Sequence, residues 1–573
     1  MTITPPTLRE PFADGDRLLL DRAIGELRAG ADQWASLSLR DRATLLRRTH
    51  ATIHQHADDW AALAVAAKAT PPALAGEEWL SGPYVVAANT DKLAASLEQL
   101  ARGVSPASGL RTTLAPNGGT AVHVLPGDTK EGLLFHGFHG EIWTAPGIGA
   151  RQVVDDAGRT ARATDAPAGV GLVLGAGNIS GIGVLDTLYE LVAHNRTSIL
   201  KLNPTFASLR QVFERAFAPL VEAGLLRVVN GGAEAGAYLA HHAGIDHVHI
   251  TGSASTHDAI VWGVGAAAEA NRAAGTPLLT KEISSELGGV SPVIVIPGEW
   301  SDADLQFQAE HVATQRLHNA GHNCIGTQLI IISSDWPQRE AFLERVRAVL
   351  ATAGERAPWY PGSDRKLAAA RASYPDAESH RGRILIEVDG DASEDLLTTE
   401  YFAPVLGYTT LPGTGADFFS AAVQFANERL YGTLGASIIV KPSDRAAIGN
   451  RFDAILADLR YGNIGINVWS AIAFLVPALP WGAFPGHTIA DVGSGIGTVH
   501  NAHLIADVER SVVTGPFRPS PRSLLNGELA ISPKPAWFIT ARGADETARR
   551  LTRFEETRSW GRLVSVVASA VRG

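Results

Sequence analysis

The stretch AGVGLVLGAGNISGIGVLDTLYELVAHNRTSILKLN, residues 168–203, decides the fold class. Its first seven residues form an apolar run without polar alternation, which is how a strand covered on both faces reads. GVLDTLYELVAHN then repeats apolar side chains every three or four positions, as a helix with one buried face does, and TSILKLN returns to the strand pattern. Strand, helix and strand in so little chain make a crossover unit, the element from which parallel sheets are built.

The alternation continues outward. SLRQVFERAFAPLVEAG predicts a helix, LLRVVNG a strand, GAYLAHHAG a short helix, DHVHITGS a strand and STHDAIVWGVGAAAEANRAAG a further helix. A second α/β set follows, with strands at SPVIVIP and TQLIIISS and helices over 301–317 and within 337–354. Upstream, 18–37 and 39–69 are helical in period, with Ser36 or Ser38 as the cap of the second helix. Residues 102–165 turn to Gly, Pro and Thr with short β-like runs, TAVHVLP and GLLFHGF, and read as a connecting or projecting region. Beyond about residue 516, ADETARRLTRFEE reads as an amphipathic helix and a final apolar stretch follows.

Composition excludes several classes of function. With 573 residues, 45% hydrophobic and 19% charged, the chain can bury two or more cores. A net charge of −10 and the lack of basic runs interleaved with aromatics argue against a nucleic-acid partner. One cysteine, Cys324, makes no internal disulfide, and MTITPPTLREPF has neither a basic nor an apolar leader segment, so a cytoplasmic location is expected. The uncharged segment 461–486 is long enough to span a bilayer, but Asn463, Asn467, Ser470, Pro477 and Pro480 interrupt any continuous helix. It is expected to be a buried wall or apolar tunnel instead of a membrane span.

A lone cysteine is usually a small buried hydrophobe, so the neighbours of Cys324 carry the argument. NAGHNC places it where a helix pattern gives way to a strand, and SELGG places Glu286 beside paired glycines just before another strand, a setting in which partial burial raises a carboxyl pKa and makes a base. SELGGVSP, NAGHNC, GAGN, KLNP, ITGS and EYFAP, placed along the chain as they are, resemble the aldehyde dehydrogenase superfamily, over roughly residues 33–497. That resemblance implies an α/β fold with a Rossmann-like cofactor-binding domain (1–125 and 166–280), a catalytic α/β domain (281–485), a small β oligomerisation or bridging element (126–165 and 498–520) and a C-terminal helical extension (521–573). It also implies a homo-oligomer.

The resemblance further implies NAD(P)-dependent oxidation of an aldehyde to a carboxylic acid. Cys324 is the expected nucleophile, Asn178 with the backbone N–H of Cys324 the oxyanion donor, and Glu286 the base that activates water against the thioester. Lys201, Gly231, Gly252, Ser253, Glu400 and Phe402 are the expected cofactor contacts. Pro204 stands where NAD-preferring members commonly carry a glutamate, so NADP is favoured over NAD. Trp469, Phe474 and Leu475 are expected to line a tunnel for an apolar aldehyde.

The chain also departs from the family pattern: Ala176 and Gly177 precede Asn178 where Pro-Trp is usual, His322 replaces a Gln, and about seventy residues follow GSGIG. Two rivals stand beside the main reading. One is a coenzyme A-acylating dehydrogenase, against which Glu286 argues, and the other a non-catalytic nucleotide-binding scaffold. The histidines at 241, 242, 247, 249, 318 and 322 lack a credible set of acidic or thiol partners in the sequence, so no metal is assigned.

Overall fold

The computed structural model describes residues 14–163, 168–392 and 394–572. Five parallel strands lie in the spatial order Glu282–Leu287, His247–Gly252, Gly169–Leu174, Arg196–Lys201 and Leu226–Val229, and Gly495–Ile496 adds antiparallel beside Glu282–Leu287. The crossover unit read from residues 168–203 is its centre, with the helix Ile182–His194 ended by Asn195 in the left-handed region at φ 54°. Leu174 is level with both Ile250 and Lys201, so the chain after Leu174, the end of the Lys201 strand and Gly252 emerge at the same edge. Ligands of open parallel sheets bind at that carboxyl edge.

The second sheet has eleven strands. Seven run parallel, in the order Val508–Thr514, Asn463–Ile466, Gly435–Ile439, Ser291–Val295, Thr327–Ser333, Val405–Leu411 and Arg383–Glu387. Glu378–His380 closes one side, and His139–Thr144, Thr120–Leu125 and Arg111–Leu114 extend the other as an antiparallel meander. The strands expected to form a bridging element thus pair with the chain's own catalytic sheet, through Val508–Thr514 against Asn463–Ile466.

Several local expectations need correction. Glu286 lies within the strand Glu282–Leu287 and not in a loop before one, so the cofactor sheet extends past residue 280 and the catalytic sheet begins at Ser291. Arg111–Leu114 and Thr120–Leu125 belong to the eleven-stranded sheet, although they lie inside the range 1–125 expected for the cofactor domain. The β-like run GLLFHGF begins inside a helix, Thr129–Leu134, because Asp128 accepts from the N–H groups of Lys130 and Glu131 and caps it. Residues 255–275 form two helices, Ala254–Trp262 and Gly265–Ala274, broken where Gly263 takes φ 93°. The pattern over 39–69 divides at His56 into Leu39–Gln55, capped by Ser38, and Ala57–Ala67.

The segment 461–486 folds as the strand Asn463–Ile466, the short helix Ile472–Leu475 and the strand Trp481–Gly482. Among the described residues no helix is long and apolar enough to cross a membrane. The C-terminal extension is docked on the domains. Just before it Arg518 grips Asp304 with two hydrogen bonds of 2.8 Å, and within it Phe538 stacks on Phe307 with ring centres 5.1 Å apart. Helices Ala544–Thr557 and Trp560–Arg572 then bury Ala548, Leu551, Phe554, Leu563 and Val566 in the core that also holds Trp79 and Tyr84. Of the charges in ADETARRLTRFEE, Glu546, Arg553 and Glu556 are exposed on the opposite face, while Glu555 is buried with the apolar residues.

Candidate active site

Cys324 sits in the turn between His318–Gly321 and the strand Thr327–Ser333. The chain enters it through three consecutive residues with positive φ, Asn319 at 53°, Ala320 at 55° and Gly321 at 82°. A Cβ at Gly321 would lie 2.6 Å from the carbonyl carbon of Ala403, which explains the glycine in NAGHNC. Arg316, in the last turn of the helix Asp302–Leu317 and only 2% exposed, holds the loop from behind. Its guanidinium donates to the carbonyls of Gly321 (2.5 Å) and Gly326 (3.2 Å), one on each side of the cysteine. Burial lowers its pKa to about 10, so it is still a cation at neutral pH.

Glu286 reaches Cys324 from the other sheet. The motif GSGIG positions it: Gly495 pairs directly with Glu286, and the Ser494 hydroxyl donates to the carbonyl of Gly288 at 3.1 Å. At 2% exposure, burial raises the Glu286 carboxyl to about pH 7, assisted by the charge of Asp186 and opposed by its interactions with Cys324, His249 and Trp481. Neither carboxyl oxygen has a hydrogen bond of regular geometry, so nothing fixes this group as a structural ion pair. Burial, with Glu286 and Glu400 as like-signed neighbours, pushes the Cys324 thiol well above its ordinary range.

Asn178 follows the central strand and is buried against the cysteine loop. Its Nδ2 donates to the carbonyl of His322 at 3.0 Å, while Asn319 donates back to the Asn178 carbonyl at 3.0 Å. Gly177 fits its unusual sequence, since a Cβ there would press on Asn203 at 2.6 Å and on the Tyr360 hydroxyl at 2.8 Å. His322 accommodates the loop through its ring, with Nδ1 at 3.0 Å from the Asn319 carbonyl and Nε2 at 2.6 Å from the Ser363 hydroxyl. Burial lowers its pKa to about 3, so the ring is neutral.

Cys324 and Asn178 line one cavity of about 60 Å³ together with Trp469, Phe474 and Leu475. Trp469 donates its indole N–H to the carbonyl of Ile325 at 3.1 Å, and Phe474 packs edge-on against Trp481 with centres 5.6 Å apart. Trp537, from the C-terminal segment, lines the same cavity. The spacing of motifs has no signal for Trp537 or for Arg316, because one arrives from 213 residues beyond the cysteine and the other is an ordinary charge in a helix pattern. Trp481 was legible as part of PWGAF but not as a neighbour of Glu286.

The expected cofactor contacts gather at the carboxyl edge of the six-stranded sheet. Lys201 ends its strand, and burial lowers its pKa; its ammonium makes no hydrogen bond or ion pair among the described residues. Gly231 lies against its stem, where a Cβ would sit 3.8 Å from the lysine Cε and only 2.7 Å from the Ala235 methyl. Gly252 and Ser253 open the helix Ala254–Trp262, whose first turn Ser253 caps through the N–H of Thr256 at 3.2 Å. Glu400 packs over Gly288, which a side chain would block, and burial raises its pKa to about 7. Phe402, at φ 45°, packs against Tyr360 (5.0 Å) and His322 (5.7 Å).

Several of the histidines pair with buried or half-buried carboxylates. His249 and His500 flank Asp186 at 3.4 and 3.3 Å behind Glu286, His247 meets Glu190 at 3.3 Å, and His242 meets Asp21 at 3.3 Å. Burial works against charge on His249, but Asp186 outweighs it and raises its pKa. Among the described residues no group of three or more His, Cys, Asp or Glu is arranged to hold a metal.

The sequence profile described as the aldehyde dehydrogenase family matches residues 135–360. Solved structures share the fold over most of the chain. A γ-glutamyl-γ-aminobutyraldehyde dehydrogenase from Burkholderia cenocepacia is 19% identical with a TM-score of 0.55, covering 86% of this chain and 88% of its own. An NAD-dependent aldehyde dehydrogenase from Sinorhizobium meliloti is 20% identical with a TM-score of 0.55, covering 88% of each chain. An NADP-dependent glyceraldehyde-3-phosphate dehydrogenase from Bacillus halodurans, solved with NADP, is 18% identical with a TM-score of 0.56, covering 87% of this chain and 91% of its own.

Proposed function

We propose that this chain, whose residues 135–360 carry the aldehyde dehydrogenase family match and whose fold is shared with solved aldehyde dehydrogenases, oxidises an aldehyde to a carboxylic acid with a nicotinamide dinucleotide. The observation that carries the reading is the meeting of a nucleophile and a base from different sheets. Cys324 from the catalytic sheet faces Glu286 from the cofactor sheet, and Asn178 lines the same cavity.

In this reading Cys324 loses its proton to Glu286, whose pKa near 7 suits a base working at neutral pH, and the thiolate adds to the aldehyde carbon. The high thiol pKa keeps the resting group protonated at neutral pH, where the adjacent base takes the proton. The Asn178 amide and the Cys324 backbone N–H hold the developing oxyanion, the amide turning from the His322 carbonyl to do so. The cofactor, when bound, supplies the acceptor for the hydride lost from that carbon. An acyl thioester is then left on Cys324. Glu286, having released its proton, deprotonates a water that attacks this thioester, and the acid leaves as the thiol is restored.

The residues present suit such a cofactor. Lys201 offers a buried-stem cation with no partner among the described residues, Gly231 leaves its flank open, and Gly252 with Ser253 presents a helix N-terminus suited to a pyrophosphate. No carboxylate follows Lys201 to repel a 2′-phosphate, since Pro204 opens the turn Pro204–Leu209 instead, and this favours NADP. Trp469, Phe474 and Leu475 favour an apolar aldehyde. A panel of aldehydes with NAD and NADP, read by the absorbance of the reduced nicotinamide, tests the reading. Absence of turnover with every aldehyde, or turnover only with free coenzyme A, overturns it.

A further inference from the structure

The cavity at Cys324 shares part of its wall with another. A second cavity of about 130 Å³ lies beside it, and Leu80, Ile472, Leu475 and Trp537 line both. The far wall of this chamber is built by the C-terminal extension, from Pro533 and Pro535 and from Leu551, Val566 and Ala570 of the last two helices. Its outer end reaches water, because Leu133, Ile531, Val567 and Val571 line it and are 41, 48, 40 and 66% exposed.

Three of the polar side chains in the wall are engaged elsewhere. Ser532 donates to the His136 carbonyl at 2.8 Å, Thr547 bonds Ser569 at 2.8 Å, and Lys534 pairs with Glu310. What faces the chamber is therefore mostly hydrocarbon. A dry apolar cavity on the order of 150 Å³ is enough to hold a small hydrocarbon such as benzene. The partition towards Cys324 is loosely held, since Leu475 and Trp537 are only half-buried and the Trp537 indole N–H has no hydrogen-bond partner.

We propose that this chamber takes the alkyl tail of the substrate, a linear aliphatic aldehyde whose carbonyl is held at Cys324 and whose chain passes between Leu475 and Trp537. The inference rests on the aldehyde-oxidising reading and names its substrate class. It also assigns the C-terminal extension a role: the last two helices form a binding wall, and the exposed apolar mouth is the entry for a long chain. The occupant is fixed by continuity, because four side chains belong to both cavities and a tail attached to a carbonyl at Cys324 leads into the second.

The test compares kcat/KM for linear aldehydes from butanal to dodecanal. Each methylene that enters the chamber should raise it about fourfold, giving at least about a hundredfold between butanal and decanal. Ala570→Trp fills the chamber, and Val567→Gln wets its mouth from an exposed position. Either should lower the decanal-to-butanal ratio at least about tenfold, whereas a general loss of folding leaves the ratio unchanged. A flat chain-length series, or a ratio untouched by both variants, overturns the proposal while the oxidation of butanal keeps the activity reading intact. If no aldehyde is oxidised, the activity reading fails by itself, and calorimetry with 1-decanol decides the chamber. Binding weakened about tenfold by Ala570→Trp supports it, and absent or unaffected binding overturns it.

Discussion

Replacing Glu286 with Gln removes the proposed base while keeping the shape of a side chain that is 2% exposed. The groups facing it are Cys324, Trp481, His249, Asp186 and, at longer range, Glu400. With a pKa of about 7, roughly one Glu286 in ten is ionised at pH 6 and about ten in eleven at pH 8, so a rate limited by thioester hydrolysis should rise about tenfold over that interval. The Gln variant should lose this inflection together with about 10²- to 10⁴-fold in steady-state rate, the usual worth of a positioned base. At high pH, where hydroxide takes the thiol proton, its first turnover should survive as a burst of one reduced nicotinamide per site. Stability gives an independent readout. The folded-state pKa lies above the ordinary carboxyl value of 4.5, so the folded protein keeps a proton that the unfolded chain releases, and stability falls as pH rises from about 4.5 to 7. The loss is on the order of 3 kcal/mol and should be missing from the variant's pH profile of thermal unfolding. Stopped-flow absorbance and calorimetry measure the two effects. A variant that turns over at the wild-type rate with the wild-type pH profile would refute the assignment of Glu286.

Cys324→Ala should abolish aldehyde oxidation by at least about 10²-fold while binding of reduced cofactor, followed by fluorescence, persists. Arg316→Lys loses the two-sided grip on the carbonyls of Gly321 and Gly326 and should destabilise the protein by on the order of 3 kcal/mol, seen as a lower denaturation midpoint. NADP should be preferred to NAD in kcat/KM with a single aldehyde, and a preference for NAD of roughly tenfold, equivalent to about 1.4 kcal/mol, shows that Pro204 has no bearing on the choice.

Residues 168–203 determined the class of fold because their pattern is local: a strand buried on both faces must be apolar throughout, and a helix laid on it must repeat its apolar positions every three to four residues. The same local physics made NAGHNC and GSGIG legible, since Gly321 and Gly495 are needed where backbone approaches backbone. Locality also explains the errors. A cap at Asp128 overrode the β-like texture of GLLFHGF, and a strand edge drew Glu286 into the cofactor sheet, both decided by partners that a short window does not contain. The grip of Arg316 and the arrival of Trp537 belong to the tertiary structure alone. Burial raises the pKa of Glu286 and Cys324 only when two sheets and a C-terminal segment close around them, and desolvation is a property of that enclosure, which no residue carries in its own sequence neighbourhood.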